Sequence, residues 1–438
     1  MTLAEPRRAM LVGFAILGTF LVALSLLGHG LLAHPSSDEG AYLAYARNLI
    51  HGSYAVASQQ GGEHGDGLYL WHAPGLPLVI APLVWIGAPI SIIRLLGPLC
   101  LILAGLLLVR IMRRFVAIEI AIAAGFALCL YEPFWRLLPE LFVEPLALVL
   151  TLAGFEALLR SYERRSLRWA VAGGLAFGYV VLCREEYGWM LVAVLVLAAS
   201  ASPLRRWRRT MVQLAVCAVT AFGVCVPWLA YTYSKTHVIL YWGAASGESL
   251  WWMSSPTPGV SGSWMPVPAV YTQPQLRRDR PLFHRLAALS QVDRERTLTR
   301  IAERNIEQHP VNYLRHLLDN AERMFLDEPF NFESSGPGPT LYGLPNILLL
   351  LGAAWAAWVL RRTRILYPRL LLPLLLFGAL GLVYHLPAAA FPRMTTLSIP
   401  SFLVLIALGF DARFYHAAPA DEGRCVLARL AADVRVHR

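Results

Sequence analysis

The chain has 438 residues, 57% of them hydrophobic and only 15% charged, with a mean hydropathy of +0.52. Soluble domains carry roughly 45–50% apolar and about 25% charged residues. A water-soluble globular protein is therefore excluded, and the composition is that of an integral membrane protein with many spans. The net charge of +10 does not describe a nucleic-acid surface, because the arginines fall in short runs between apolar segments: Arg7-Arg8, 110–114, 160–168, 205–209, 361–364 and the tail after Asp411. Such runs mark cytoplasmic loops.

Placing every arginine run inside gives one consistent order of spans, both termini cytoplasmic. Span 1 is expected over about 10–33, long enough to cross a bilayer and retained, since Leu31-Leu32-Ala33-His34-Pro35 is a poor cleavage site. Residues 34–90 stay on the outer side. Within them Pro74–Pro89 is apolar but short and proline-interrupted; it is read as a juxtamembrane helix, because counting it as a span would put Arg110–Arg114 outside. Spans 2 to 7 are expected over about 91–110, 116–133, 140–159, 169–183, 187–201 and 210–231. Spans 8 to 10 follow over about 345–360, 369–386 and 395–410. The intervening stretch, 232–344, is too long for a bare connector. It has a Trp/Pro/Ser-rich part and then an amphipathic helical part broken at Pro310. The chain divides accordingly into 1–231, with its outer loop 34–90, then 232–344, 345–411 and a tail 412–438. The six cysteines show no zinc-like spacing and read as packing residues.

On this topology both signs of charge collect on the outer face. Asp38 and Glu39 follow span 1. Glu63, His64, Asp66 and His72 lie in the first loop, and Arg94 opens span 2. Glu140 and Glu144 open span 4, and Arg184, Glu185 and Glu186 join spans 5 and 6. Lys235, the one lysine of the chain, and His237 follow span 7, and His385 and Arg393 lie between spans 9 and 10. Ionisable groups at membrane depth are costly and mark cavities or partners. A mixed acid and base site suits a substrate carrying phosphate and hydroxyls. Each residue also has a plainer reading. Ser36 and Glu39 match a capping box, Arg184 with Glu185 is a possible ion pair, Lys235 could snorkel to headgroups, and Trp251, Trp252 and Trp264 could form an interfacial belt instead of a sugar platform.

The order of these pieces resembles the GT-C superfamily of membrane glycosyltransferases, in particular the relatives of protein O-mannosyltransferase and of the aminoarabinose transferase that modifies lipid A. Asp38-Glu39-Gly-Ala-Tyr42 is similar to the Asp-Glu-x-x-Tyr after the first span. Tyr69-Leu-Trp-His72-Ala-Pro74-Gly-Leu76 is similar to the motif that leads into the juxtamembrane helix, and Arg94 to the arginine that opens the next span. Pro139-Glu140, Cys183-Arg184-Glu-Glu186 and Phe391-Pro-Arg393-Met394 match outer-face acids and arginines, and 305–314 the amphipathic segment before the later spans. Two positions depart: Gly75 replaces a second proline, and Met394 stands where tyrosine is common.

The resemblance implies an all-α polytopic GT-C fold of about ten transmembrane helices, with periplasmic juxtamembrane helices and one large periplasmic loop. It also implies an inner-membrane location with the active site facing the periplasm. The expected reaction is inverting transfer of a sugar from a polyprenyl-phosphate lipid to an envelope acceptor of unknown identity (lipid, glycan or protein hydroxyl), with no nucleic-acid partner. Asp38 is the expected base, with Glu39 beside it. Arg94, Arg184, Lys235 and Arg393 are candidates for the donor phosphate, and His72 and Glu140 for the substrate. Asp38 and Glu39 are also the candidate ligands of a divalent cation, Mg, Mn or Ca. A polymerase or ligase using a polyprenyl-diphosphate glycan, and a lipid-linked glycan flippase, are the alternative functions.

Overall fold

The computed structural model describes residues 4–28, 37–55, 68, 70–200, 207–243, 246–329, 338–363, 369–388 and 390–415. His34, Ser36, Glu63, His64, Asp66, Tyr69, Cys425 and the tail lie outside them. The described residues are all-helical with short connections. In chain order the helices are α1 (Ala4–Gly28), α2 (Ser37–Ile50), α3 (Gly75–Trp85), α4 (Ile90–Arg94), α5 (Leu96–Met112), α6 (Ile118–Leu130), α7 (Glu132–Trp135), α8 (Glu144–Arg164), α9 (Leu167–Cys183) and α10 (Glu186–Ser200). They continue with α11 (Trp207–Thr236), α12 (Ser246–Ser254), α13 (Val267–Thr272), α14 (Arg280–Leu286), α15 (Gln291–Gln308), α16 (Pro310–Leu326), α17 (Gly338–Thr363), α18 (Leu372–His385) and α19 (Ile399–Phe414).

Among the described residues six apolar segments are long enough to cross a bilayer: 8–28, 90–112, 144–164, 207–236, 343–363 and 392–414. The expected spans near 116–133, 169–183, 187–201 and 369–386 coincide with shorter apolar helices, as does the juxtamembrane segment at Gly75–Trp85. The chain is a multi-pass membrane protein. Expected and observed boundaries differ most at span 4. Pro145 opens α8 at its first turn, so Glu140 sits in the preceding loop and not on the helix.

Outward-facing leucine, valine and phenylalanine cover α1, α11 and α17, as expected for surfaces that meet lipid. The inward faces pack through small residues. Gly174 and Gly178, four apart on α9, lie so close to α11 that a Cβ on either would come 2.5 Å from the Cys217 or Ala221 carbonyl oxygen. α8 packs on α5 and α9, α17 on α19, and α10 on α18, while α2 lies along α3. At one end of the bundle Glu156 of α8 is gripped by Arg110, Arg114 and Arg160, at 2.9, 2.6 and 2.7 Å. The opposite ends of α5 and α8 carry the acids and arginines described below.

Residues 246–326 have an apolar core of their own, built from Trp251, Trp252, Val260, Met265, Val270, Leu276, Phe283, Leu286 and Leu298. Within it Arg294 Nη2 bonds Glu248 Oε2 at 2.8 Å. Gln291 ties this unit to the body by accepting from the Leu70 N–H at 2.8 Å. Asn320 does so by donating to the Leu386 and Ala388 carbonyls.

Candidate active site

Asp38 and Glu39 lie in the first turn of α2 and diverge. Glu39 turns toward α4, where Arg94 binds it through two nitrogens at 2.9 and 2.6 Å, and it also accepts from the Leu141 N–H at 2.9 Å. This fork, 8% exposed at both residues, fastens α2 to the end of α4 and to the loop that carries Glu140. Asp38 points the other way. Its Oδ2 accepts from Arg393 Nη1 at 2.5 Å, and its Oδ1 is 3.9 Å from His72 Nε2.

His72 is fixed by its surroundings. The Tyr42 ring, one turn after Asp38, lies 4.7 Å from its imidazole, and Tyr54 Oη donates to its carbonyl at 2.8 Å. Burial drives the His72 pKa down to about 4 against the pull of Asp38, so the ring is neutral at pH 7. Burial pushes the Asp38 carboxyl up, but Arg393 and His72 outweigh it and hold its pKa at about 2.

Arg184, in the α9–α10 link, forms a second cluster beside this trio. It is bonded to Glu144 at the start of α8 and to Glu186 Oε1 at 3.1 Å, and its Nη1 lies 3.3 Å from Met394 Sδ. Met394 thus has a contact of its own with the arginine. Burial together with the neighbouring Glu186 charge raises the Glu185 pKa to about 8. Arg184 Nε, Glu144 Oε2 and His385 Nε2 are buried without a hydrogen-bond partner among the described residues.

Gly75 explains how α3 and α9 meet here. A Cβ at this position would come 2.6 Å from the Leu182 carbonyl and the Cys183 nitrogen. The departure from proline therefore lets the backbone after His72 press on the backbone before Arg184, and Tyr179 Oη bonds the Gly75 carbonyl at 3.0 Å. Phe142 lies under the Arg393 guanidinium at 5.4 Å. With Leu76, Gly97, Leu141, Leu146 and Glu140 it lines a small crevice.

Of the candidate residues, the structure brings Asp38, His72, Arg393 and Arg184 together. Glu39 and Arg94 form an adjacent pair, and Glu140 lines the crevice. Lys235 is exposed near the end of α11, its ammonium 5.8 Å from the Tyr231 ring, apart from the Asp38 cluster. Sequence reasoning did not single out Phe142 or Tyr54; both are aromatic residues in otherwise unremarkable segments, and only their tertiary contacts mark them. No group of three His, Cys, Asp or Glu side chains among the described residues is arranged to hold a metal ion. Glu39 is committed to Arg94 and Leu141, and Asp38 to Arg393. As arranged, the pair does not fit a divalent cation.

Residues 71–231 match the family model for dolichyl-phosphate-mannose-protein mannosyltransferase, a stretch that includes His72, Arg94, Glu140 and Arg184. No curated protein matches the sequence. Among solved structures the chain is similar to the archaeal oligosaccharyltransferase AglB from Archaeoglobus fulgidus in complex with an inhibitory peptide and a dolichol-phosphate. The identity is 14% and the TM-score 0.54, over 98% of this chain and 54% of that one. An apo form of the Archaeoglobus fulgidus oligosaccharyltransferase gives 16% identity and a TM-score of 0.50, over 98% and 54%. ArnT from Cupriavidus metallidurans bound to undecaprenyl phosphate overlays more loosely, with 14% identity and a TM-score of 0.41 over 94% and 78%. This chain spans about half the length of the oligosaccharyltransferase structures. Family model and fold agree in placing the similarity with membrane glycosyltransferases of the GT-C superfamily.

Proposed function

We infer that the protein is an inverting glycosyltransferase that moves a sugar from a polyprenyl-monophosphate lipid to a hydroxyl-bearing acceptor of the cell envelope, at the periplasmic face of a bacterial inner membrane. The observation that carries this reading is the convergence of a buried carboxylate, Asp38, with two guanidiniums, Arg393 and Arg184, from three distant parts of the chain.

In the proposed reaction the acceptor oxygen bonds the anomeric carbon as the bond from that carbon to the phosphate oxygen breaks. The electron pair leaves on the phosphate, and Arg393 and Arg184 stabilise its charge. The acceptor proton passes to Asp38. A carboxylate held at about pKa 2 is a weak base, so the mechanism needs Arg393 to change partner. The incoming phosphate draws the guanidinium toward itself, and Asp38, still buried, gains basicity when the acceptor needs it.

The test is transfer by the reconstituted protein from a radiolabelled undecaprenyl-monophosphate hexose to isolated envelope fractions. Asp38→Asn should still bind undecaprenyl phosphate but lose transfer by about 10²-fold or more, the scale of a lost general base. Near-normal transfer by a folded Asp38→Asn protein would exclude the base role. Use of diphosphate-linked glycans in preference to the monophosphate would move the reading to a polymerase or ligase.

A further inference from the structure

The tryptophans of the large loop part company in the structure. Trp251 and Trp252 are buried, at 2% and 0% exposure, in the core of the 246–326 unit. Trp264 packs on the edge of that core and also reaches toward the site. Its ring is 5.8 Å from that of Trp71, tilted by 44°, and 6.5 Å from that of Phe391 at a near-perpendicular 86°. Trp71 precedes His72, and Phe391 lies two residues before Arg393. Three aromatic rings from three distant segments therefore meet beside the His72–Asp38–Arg393 trio. Phe391 is buried, whereas Trp71 and Trp264 stay partly exposed, so the two indoles form an open corner.

The turn that presents Trp264 is built for rigidity. Ser261 and Gly262 both have positive φ, at 50° and 67°. For serine that is a costly conformation, which persists where surroundings impose it. Arg323, itself fully buried, donates to the Ser261 carbonyl at 2.6 Å. The Ser263 N–H closes the turn on the Val260 carbonyl at 2.9 Å, and Gly262 is wedged against Met253 and His316. The Trp264 indole Nε1 is buried and has no hydrogen-bond partner among the described residues. A buried indole N–H normally finds an acceptor. A rigid, partly exposed aromatic corner suits a ligand with an apolar face, such as one face of a pyranose ring.

We propose that Trp264 and Trp71 form a stacking platform for a sugar ring beside Asp38, making the 246–326 unit a specificity element of the site. This rests on the glycosyltransferase reading above. The ring belongs either to the lipid-linked donor or to a saccharide acceptor.

The experiment measures binding to the full-length protein in lipid nanodiscs, with three probes: undecaprenyl phosphate, undecaprenyl-phosphate hexose (glucosyl and mannosyl), and a free trisaccharide. Trp264→Ala should weaken a sugar-bearing probe at least about threefold, the scale of a lost aromatic contact, and leave undecaprenyl phosphate unchanged. Trp264→Phe should keep part of the affinity, Trp71→Ala should reproduce the loss, and Trp189→Ala, on the lipid-facing surface, should be silent. Loss confined to the lipid-linked hexose assigns the platform to the donor sugar. Loss confined to the trisaccharide assigns it to the acceptor. Sugar-bearing probes that bind all variants like wild type, or bind none including wild type, overturn the proposal, as does an equal loss of undecaprenyl phosphate in Trp264→Ala. Failure of wild type to bind undecaprenyl phosphate would instead overturn the glycosyltransferase reading.

Discussion

Among single residues, Arg393 has the sharpest consequence for pH. Asp38 is held at about 2, below its ordinary value near 3.9. A depressed carboxyl contributes stability that is complete above the unfolded value and is lost as pH falls through the folded one. The window for Asp38 thus runs from about pH 4 down to about pH 2. Arg393→Gln removes the opposing charge and leaves burial to act, so the variant should be less stable than wild type at pH 7 by about 2 kcal/mol. That gap should narrow on acidification, as read by thermal unfolding of the solubilised protein. A constant gap from pH 7 to pH 3 would mean that Arg393 acts through packing alone. Glu185 gives the opposite sign. Its carboxyl is raised to about 8, so the native state resists ionisation that the unfolded chain undergoes near 4.3. Stability is therefore lost as pH rises from about 4 to about 8. Glu185→Gln should raise the melting temperature at pH 8 more than at pH 5, and an equal change at both would contradict the assigned burial.

At the scale of elements, the contact of α3 with α9 controls the relative position of His72 and Arg184. Gly75→Ala would place a methyl group 2.6 Å from backbone atoms that belong to a packed helix end. The helices must then separate, at a cost on the order of 1–3 kcal/mol. Because His72 and Arg184 flank this contact, activity should fall by more than stability alone accounts for, which parallel melting and transfer assays would reveal. Full activity in Gly75→Ala would show that the two elements are not coupled. In the 246–326 unit, breaking the buried Glu248–Arg294 pair from one side should cost about 3–5 kcal/mol. Replacing both partners by leucine and methionine should be much milder, because no uncompensated charge is left behind.

How much of this was legible beforehand differs by kind of information. The apolar helices follow from runs that a membrane demands, but four of the expected spans are shorter apolar helices, and the ends of others moved. α11 continues past 231 to Thr236, and α17 begins at Gly338 ahead of Pro345, a proline that the sequence reading takes as the start of span 8 but that neighbouring helices tolerate. The acidic pair at 38–39 was legible as one motif, but its division was not. One carboxylate goes to Arg94 and the other to Arg393, and no spacing rule encodes partners that lie 55 and 355 residues away. Lys235 looked conspicuous because it is the single lysine; rarity in composition carries no information about position. Trp264 was indistinguishable from its neighbours Trp251 and Trp252 until the turn at 260–263 was seen to separate them.

For the whole molecule, sidedness is the property to test. The Glu156–Arg110–Arg114–Arg160 network and the Asp38 cluster occupy opposite ends of α5 and α8, which supports arginine runs inside and the 246–326 unit outside. In a cysteine-free background, Thr272→Cys should react with a membrane-impermeant thiol reagent added to intact spheroplasts, and Arg165→Cys should react only after lysis. The reverse pattern would invert the topology.

The bond between Asp38 and Arg393 closes a loop of 355 residues. At ribosomal speeds of about 5–20 residues per second, roughly 20–70 s separate the synthesis of its two ends. Throughout that interval the nascent protein lacks the guanidinium that bonds Asp38 in the finished fold. The Asp38–Arg393 pair therefore closes only once the segment leading into α19 has been made and inserted.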